Sequence, residues 1–475
     1  MTAQTILPAN SVTGGYEVAN SLRFDSAAGT YLNFDQATAT SARKMTFSTW
    51  LKLSKLNVYN ILLENLADPH NSQIVIQNNG NNNDLRFYDY DGSTNIDLRT
   101  SRAFRDVSAW YHIVVAMDTT QSTASNRVKI YINGVQETAL DTATYPDQNY
   151  DTAITGGTLQ IGRQGTTSYY IDGYLAETVF IDGSQLAADS FGEFDEDSGI
   201  WKPIDGLADL TFGNNGFYLD YKDSSALGND AAGSNNFTVN NLTSLDQSTD
   251  TCSTNFATIN PLDVSLPSTF ALSEGNLDAH LNGYSSNIYP RAFSNFQVTA
   301  GKWYVECKIT EEDDSGMIGI TSRSAVSGTD YMGLSAYDYR YYHDGTKMNN
   351  NSSSSYGTTW NGGDTIGIAL DMDNLAVYFS LNGTFQANGD PTSGSSRTNA
   401  AFNLTAVAST PNGAYKFGIG TQGDGNGTRG QWNFGSPPYA ISSGNTDQNG
   451  FGNFEYAVPT GYLSLNTKNL AVVLA

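Results

Sequence analysis

Apolar side chains recur at every second position along most of this sequence, and this alternation constrains the fold more than any other feature. In the stretch 45–53, for example, Phe47 and Leu51 share one face. A period of two is typical of a β-strand, because successive side chains of a strand point to opposite faces. The pair Asn133-Gly134 between two such stretches is a strong signal for a tight hairpin. The sequence therefore predicts antiparallel strands joined by short turns.

Helical periodicity is nearly absent, and the best helix candidate is the short stretch from Ser184 to Phe194. The chain has 46 glycines but only 12 prolines, and aromatic residues make up 12% of it. Glycine suits turns, and aromatic residues suit the half-buried surface of a sheet. Composition therefore agrees with an all-β fold.

Two strand-rich blocks are separated by a stretch rich in Asn, Ser, Asp and Gly. Each block has enough strands for a β-sandwich of jelly-roll type. The predicted fold is therefore two tandem β-sandwiches joined by a connector. The predicted boundaries are an N-terminal lead at 1–14, a first sandwich at 15–205, a connector at 206–267, a second sandwich at 268–440 and a C-terminal segment at 441–475.

The chain is strongly acidic, with a formal net charge of −24 and a pI near 4.3. Such a chain repels the phosphates of nucleic acid and of anionic membrane surfaces. Neither a signal peptide nor a membrane-length apolar run is visible. We therefore expect neither nucleic-acid binding nor membrane insertion. The two cysteines, Cys252 and Cys307, are too few for a disulfide framework or a CxxC zinc site.

Five short motifs follow one another through the first block: Met45–Leu51 (MTFSTWL), Trp110–Val114 (WYHIV), Val128–Gly134 (VKIYING), Leu159–Gly162 (LQIG) and Ile171–Glu177 (IDGYLAE). In this order and spacing they resemble the laminin-G-like family of concanavalin-type sandwiches. The resemblance implies a recognition domain.

A second set of motifs runs through the second block: Gly301–Glu306 (GKWYVE), Met317–Ile320 (MIGI), Gly363–Ile368 (GDTIGI), Val377–Gly383 (VYFSLNG) and Trp432–Gly435 (WNFG). These motifs resemble a SPRY domain, and they are the more specific of the two matches. The resemblance implies a second recognition-type sandwich.

Further motifs lie in the connector and near residue 460: Phe191–Glu193 (FGE), Gly199–Pro203 (GIWKP), Leu227–Asp230 (LGND), Asn255–Leu262 (NFATINPL) and Gly461–Thr467 (GYLSLNT). They are similar to laminin-G/SPRY proteins of marine tailed bacteriophages. This resemblance covers nearly the whole chain, and it implies a protein on the surface of a virion.

Some concanavalin-type sandwiches are glucanases, and their active strand carries Glu-x-Asp-x-x-Glu. The nearest stretch here begins at Glu193 and Asp195, but Ser198 replaces the last carboxylate. Glycoside hydrolysis needs two carboxyl groups in a fixed geometry. No two of the four histidines have metal-ligand spacing, and no phosphate loop or nucleophile elbow occurs. The sequence therefore predicts no catalytic residues and no enzyme.

Calcium is the one ion that the family resemblance implies, because related sandwiches hold it with loop oxygens. The candidate ligands are Asp89, Asp91 and Asp172. Aspartate is also frequent in turns, so these residues have a structural interpretation as well.

Aromatic residues are the candidate ligand-binding side chains, because exposed rings stack on sugars and anchor protein interfaces. Alternation assigns some of these rings to the sheet core instead. The candidates are Trp50, Tyr337, Tyr339, Tyr341, Tyr342 and Trp360.

The leading hypothesis is a non-enzymatic structural protein on the exterior of a phage virion, as capsid decoration, head fibre or tail fibre, that aids attachment to host-surface glycans or proteins. Its expected partners are other virion proteins, a host-surface glycan and further copies of the same chain. A bacterial carbohydrate-binding adhesin is the second hypothesis. A glycoside hydrolase of concanavalin-type fold is the third.

Overall fold

A computed structural model describes residues 15–67, 70–78, 80, 82–165, 169–265, 270–282, 289–312, 314–324, 330–422 and 427–474. The N-terminal lead predicted at 1–14 lies outside the described residues. The chain divides into two compact units between Asn255 and Phe256. Both units consist of antiparallel sheets, so the predicted all-β fold with two sandwiches is confirmed.

The described part of the first unit contains the strands β1 (Ser21–Phe24), β2 (Tyr31–Asp35), β3 (Lys44–Leu53), β4 (Asn60–Ala67), β5 (His70–Gln77), β6 (Asp84–Tyr90), β7 (Thr94–Ala103), β8 (Trp110–Asp118), β9 (Val128–Ile132), β10 (Val135–Gln136), β11 (Leu140–Thr144), β12 (Thr158–Ile161), β13 (Gly173–Asp182), β14 (Gly192–Phe194), β15 (Trp201–Pro203), β16 (Phe217–Leu219), β17 (Thr238–Asn240) and β18 (Gln247–Ser248), with a short helix α1 (Ala124–Arg127). The first sheet has the order β10-β9-β8-β3-β13-β1-β18, with β16 also paired to β13. The second sheet has the order β11-β7-β6-β5-β4-β12-β2-β17. Strands β14 and β15 form a separate hairpin.

The core of the first unit lies between these two sheets. Phe47 and Ile113 of the first sheet and Phe87 and Leu159 of the second sheet are fully buried in it. The alternate residues of the first sheet, among them Trp50, pack into another buried cluster on its outer face. The first sheet is therefore covered on both faces.

The stretch predicted as a connector supplies strands to both units. Strands β16, β17 and β18 pair with β13, β2 and β1 of the first unit, and β19 belongs to the second unit. A buried ion pair holds the end of this stretch, because Lys52 Nζ donates to Asp250 Oδ2 at 2.6 Å and to Asn255 Oδ1 at 2.7 Å. Residues 206–255 thus complete the first sandwich.

The described part of the second unit contains the strands β19 (Ile259–Ser265), β20 (Phe270–Ser273), β21 (Asp278–Leu281), β22 (Arg291–Ser294), β23 (Lys302–Glu311), β24 (Gly316–Thr321), β25 (Asp338–Tyr342), β26 (Thr346–Asn349), β27 (Ser352–Ser355), β28 (Thr365–Asp371), β29 (Ala376–Leu381), β30 (Thr384–Phe385), β31 (Phe402–Asn403), β32 (Lys416–Thr421) and β33 (Thr428–Asn433), followed by the helix α2 (Thr467–Leu474). One sheet has the order β19-β22-β32-β24-β25-β26-β27. The other has the order β20-β21-β33-β23-β28-β29-β30, with β31 paired to β29.

The segment after residue 440 packs against the second of these sheets. The buried carboxylate of Glu306 on β23 accepts the backbone N–H groups of Glu455 and Tyr456 at 3.0 and 2.9 Å. Asp447 accepts from Ser464 and Asn469, which holds the start of α2. Two buried carboxylates therefore anchor this segment.

The helix predicted from Ser184 to Phe194 is wrong. Only a single 3-10 turn, Ala188–Ser190, forms there, and β14 follows it at Gly192. Ala188 and Phe191 pack against the outer face of the first sheet, which favours an irregular covering segment over a helix. Within the described part of the chain, no helix is both long and apolar enough to cross a membrane.

Candidate functional site

The outer face of the second sheet in the first unit carries a row of polar side chains. The row runs across the neighbouring strands β2, β12, β4, β5, β6 and β7, and each strand contributes one residue that pairs directly with the residue from the adjacent strand. The row consists of Asn33, Gln160, Glu64, Gln73, Tyr88 and Asp97. Because directly opposite side chains lie about 5 Å apart, the row is a continuous polar strip across the sheet.

The middle of this strip is buried although it faces away from the core. Glu64 is 1% exposed, and Gln73 and Gln160 are each 7% exposed. Residues just after β12 lie over them, since Gly165 donates its backbone N–H to Glu64 Oε2 and Gln164 Nε2 donates to Gln73 Oε1 at 3.2 Å. We use the name polar groove for this part of the sheet face, and we call these three buried side chains its floor.

Two oxygen atoms in the floor have no hydrogen-bond donor among the described residues, namely Glu64 Oε1 and Gln160 Oε1. A buried acceptor that is left unsatisfied costs about 1–3 kcal/mol. Burial also raises the pKa of Glu64 to about 7, although the Gly165 amide and the Arg163 cation act in the opposite direction. The floor therefore keeps two acceptor oxygens that the described residues leave unsatisfied.

Tyrosine rings form the rim of the polar groove. Tyr59 and Tyr169 are 37% and 47% exposed, and their ring centroids are 5.0 Å apart. Tyr59 directly precedes β4, the strand that carries Glu64, and Tyr169 is next to Tyr170, which forms a β-bridge with Arg163 just after β12. Exposed rings of this kind offer apolar faces for the C–H surface of a sugar.

The floor contains a single carboxyl group, and the other acid of the row is ion-paired. Arg86 donates two parallel hydrogen bonds to Asp97 at 2.7 and 2.8 Å. Asp97 lies three strands from Glu64, which is roughly 14 Å at the usual strand spacing. Glycosidases place their two carboxyl groups about 5–10 Å apart. This arrangement favours binding over cleavage.

The aromatic candidates from the sequence lie elsewhere, and most of them are core residues. Trp50, Tyr339, Tyr341 and Trp360 are at most 2% exposed. Tyr341 and Trp360 do meet, with ring centroids 6.4 Å apart, inside the core of the second unit. Trp50 packs on His112 under the segment that covers the first sheet. These four rings offer no surface to a ligand in this structure.

Tyr337 and Tyr342 are half-buried. Tyr342 lies over the guanidinium of Arg340, whose carbon is 4.5 Å from the ring centroid, and Tyr331 lies against the same group at 5.0 Å. The tyrosine-rich stretch therefore combines core residues with one arginine held between two rings.

The three calcium candidates do not come together. Asp89 is fully buried and accepts hydrogen bonds from the hydroxyls of Ser72, Tyr150 and Thr152. Asp91 accepts from Ser93 in an exposed turn. Among the described residues, no cluster of three or more His, Cys, Asp and Glu side chains is placed to hold a metal ion.

Asp172, the third candidate, has a structural role. It accepts from the backbone N–H of Ser26 at 3.0 Å and from its hydroxyl at 2.5 Å, and Lys55 Nζ lies 3.7 Å away. The turn-forming interpretation therefore holds for Asp91 alone, whereas Asp89 and Asp172 accept hydrogen bonds from distant parts of the chain.

The glucanase-like stretch forms the β14–β15 hairpin. Asp195 accepts hydrogen bonds from the backbone and hydroxyl of Ser198, and these bonds lower the pKa of Asp195 to about 2. Lys202 lies 3.3 Å from Glu193 and 3.2 Å from Asp195. The two carboxylates share one lysine and lie on the surface.

The residues of the polar groove were missed by the sequence analysis. Within their own strands, Glu64, Gln73 and Gln160 each lie next to an apolar residue that faces the core. Each strand's sequence alone therefore shows that these polar residues lie on the other face. The residues come together only through the strand order, which alternation does not reveal.

The second unit contains a polar cavity of about 310 Å³. It is lined by amide and hydroxyl side chains, among them Asn260, Asn295 and Asn412, and by the ion pair of Lys416 with Asp263. Lys416 is buried, and burial lowers its pKa.

Comparison with known families agrees with both sandwiches. Residues 25–188 match the model described as the concanavalin A-like lectin/glucanases superfamily, and residues 302–440 match the SPRY domain. The chain therefore carries a concanavalin-like domain and a SPRY domain, both similar to domains of the binding type.

Individual relatives are distant. Zebrafish (Danio rerio) Ran-binding protein 10 is 28% identical over 119 residues, which are 24% of this chain and 20% of that protein. The chain thus spans about a fifth of the length of that relative. A putative carbohydrate binding protein from Bacteroides ovatus has 16% identity and a TM-score of 0.34, over 47% of this chain and 59% of that one. The SPRY domain of human HERC1 has 15% identity and a TM-score of 0.28, over 37% and 96%. Both TM-scores are too low to support an argument about function.

Proposed function

We propose that this chain is a non-enzymatic attachment protein whose first sandwich binds a glycan in the polar groove. The observation that carries the proposal is the buried floor of Glu64, Gln73 and Gln160 beside the exposed rings of Tyr59 and Tyr169. Amide and carboxyl groups match the hydroxyls of a sugar, and tyrosine rings match its apolar face. Ligand sites in general combine apolar contact with a few such fixed polar groups.

The binding test uses the purified full chain on an array of bacterial and algal polysaccharides. We expect retention on a subset of them and loss of retention in Tyr169→Ala, which removes one ring of the rim. Phe194→Ala is the matched control, because Phe194 is also about half exposed and lies 4.9 Å from a neighbouring ring, that of Trp201. Equal retention of wild type and both variants would place the glycan site outside the groove.

We propose a location on the exterior of a phage virion, where the chain contacts other virion proteins and further copies of itself. Sequence resemblance to phage laminin-G/SPRY proteins supports this location. Quantitative mass spectrometry of purified particles tests this location by measuring the copy number of the chain relative to that of the major capsid protein. A large fraction of the capsid copy number would mean decoration, and a few copies per particle would mean a tail fibre. Absence from particles would favour a bacterial adhesin.

The lack of enzymatic activity is a separate part of the proposal. The wide separation of Glu64 and Asp97 supports it. Incubation with the polysaccharides that are retained should release no reducing ends. Release that disappears in Glu64→Gln, or in a variant of Glu193 or Asp195, would mean that the protein is a glycoside hydrolase.

A protein partner at the SPRY domain is a second candidate function. The polar cavity beside Lys416 and Asp263 favours it, because this ion pair and the surrounding amides offer both donors and acceptors. Crosslinking of intact particles with mass-spectrometric readout should place a virion protein beside Asn412. Crosslinks confined to other faces of the domain would contradict this assignment.

A further inference from the structure

Two arginines on the groove side of the second sheet are outside the ion pairs of the described residues. Neither Arg99 nor Arg163 makes an ion pair within the described part of the chain, and the buried Nε atom of each has no hydrogen-bond acceptor there. An arginine that is half-buried without an anion is unusual, because burial of a charge is unfavourable unless it is paired. Neither guanidinium group is therefore in direct contact with a carboxylate among the described residues.

The position of Arg163 is fixed by aromatic rings. Its guanidinium carbon is 4.7 Å from the ring centroid of Tyr31 and 5.6 Å from that of Tyr170. Arginine held over aromatic faces retains its hydrogen-bond donors for another group. Arg163 also lies close enough to Glu64 for its charge to lower the pKa of that carboxyl. This places a fixed cation beside the floor of the groove.

Arg99 lies in an electrostatically unfavourable position. It is directly opposite Arg86 on the neighbouring strand. Like charges at opposite positions of adjacent strands destabilise a sheet. Arg86 is neutralised by Asp97, but Arg99 is not. A sequence with 48 acidic and only 24 basic residues nevertheless places three arginines on this face.

We infer that the glycan bound in the polar groove is acidic, and that Arg99 and Arg163 pair with its carboxylate or sulfate groups. The inference depends on the proposed glycan-binding function. Arginine pairs with both groups through parallel N–H donors. Besides Glu64, the acids on this outer face are Asp35, Asp84 and Asp97. Asp35 accepts from Thr158, Asp97 accepts from Arg86, and Asp84 is fully buried opposite Gln77. Arg99 lies on β7 and Arg163 lies just after β12, so the two arginines lie on either side of β4, β5 and β6.

The test measures binding of the full chain to three kinds of immobilised polysaccharide: uronate-rich, sulfated, and neutral forms of the same polymers made by carboxyl reduction or desulfation. We expect binding to an acidic form and at least tenfold weaker binding to its neutral counterpart. Preference for uronates or for sulfated polymers identifies the anion. Equal binding to acidic and neutral forms would overturn the inference and leave the glycan-binding proposal intact, whereas absence of binding to every form would overturn both.

The variants Arg99→Gln and Arg163→Gln assign the effect to the groove. We expect each to weaken binding of the acidic polymer roughly tenfold and to leave binding of the neutral polymer unchanged. Arg105→Gln is the matched control, because Arg105 is an exposed arginine of the same unit that donates to Asn82. An equal loss in Arg105→Gln would mean that only net charge matters, and the assignment to Arg99 and Arg163 would then be wrong.

Discussion

Buried charges give the first unit its most sensitive individual residues. Lys52 and Asp250 have side chains that are 1% and 2% exposed, and Trp110 Nε1 also donates to Asp250 at 3.2 Å. Removing one partner of such a pair leaves the other charge uncompensated in the interior.

We expect Asp250→Ala to lower the free energy of unfolding by about 3–5 kcal/mol. Urea unfolding followed by tryptophan fluorescence measures this change. The control is Asp151→Ala, which breaks the exposed pair of Arg43 with Asp151 and should change stability by about 1 kcal/mol or less. Equal effects of the two substitutions would contradict the assigned role of burial.

Glu64 predicts a dependence of stability on pH. Burial raises its pKa to about 7 in the folded chain, against 4.5 for an ordinary glutamate. The folded chain therefore keeps a proton that the unfolded chain loses, and stability falls as pH rises between these two values. The loss over about 2.5 pH units amounts to about 3 kcal/mol.

The difference in unfolding free energy between wild type and Glu64→Gln isolates this effect. Glu177, whose pKa is also raised to about 7, contributes equally to both proteins and cancels. Between pH 4.5 and 7, we expect wild type to lose stability relative to Glu64→Gln. A difference that stays constant over this range would show that folding does not shift the pKa of Glu64.

Tight turns are the most demanding elements of the fold. In the turn between β9 and β10, Asn133 and Gly134 have φ values of 49° and 79°, as the favoured two-residue hairpin requires. A Cβ atom at Gly134 would overlap the indole of Trp201. This turn therefore needs glycine for both its backbone angle and the space around it.

We expect Gly134→Ala to destabilise the first unit more than Gly92→Ala does. Gly92 also has a positive φ, 109°, but nothing lies within 4 Å of a Cβ atom there. Backbone strain costs roughly 1–3 kcal/mol in both variants, and overlap adds about 1–3 kcal/mol in Gly134→Ala alone. Thermal unfolding compares the two, and equal shifts in Tm would mean that the indole moves aside at no cost.

Strands were predictable where a long alternating stretch meets a turn pair. The alternating stretch 45–53 lies within β3, and the predicted hairpin turn at Asn133-Gly134 forms with φ values of 49° and 79°. The three-residue strands β16 and β17 were not predicted, because a stretch this short shows no period. They form because β13 and β2 offer them unpaired strand edges.

The candidate site was less predictable than the fold. Tyr339 and Tyr341 alternate as a strand should, but both are core residues of the second unit. Alternation separates two faces without telling which of them meets the core. The floor residues of the groove come from positions 64, 73 and 160, so strand pairing and not local sequence brings them together.

At the scale of the whole molecule, the net charge of −24 destabilises the compact state through self-repulsion. Salt screens this repulsion, and the screening length falls from about 30 Å at 0.01 M to about 3 Å at 1 M. Raising NaCl at pH 7 should therefore raise Tm. At a pH near the pI of 4.3 the same change should have little effect. Equal salt effects at both pH values would rule out self-repulsion as the cause.

The pairing of β1 with β18 has a consequence for synthesis. Ser21 lies opposite Ser248, and Lys52 pairs with Asp250. While the ribosome is still translating residues 60 to 240, the nascent first sandwich lacks its closing strand and carries an unneutralised lysine. The first sandwich can be completed only after β18 and Asp250 have been synthesised, shortly before the first residues of the second unit. The two sandwiches are thus suited to fold one after the other, which limits the time that unpaired strands of both are exposed together.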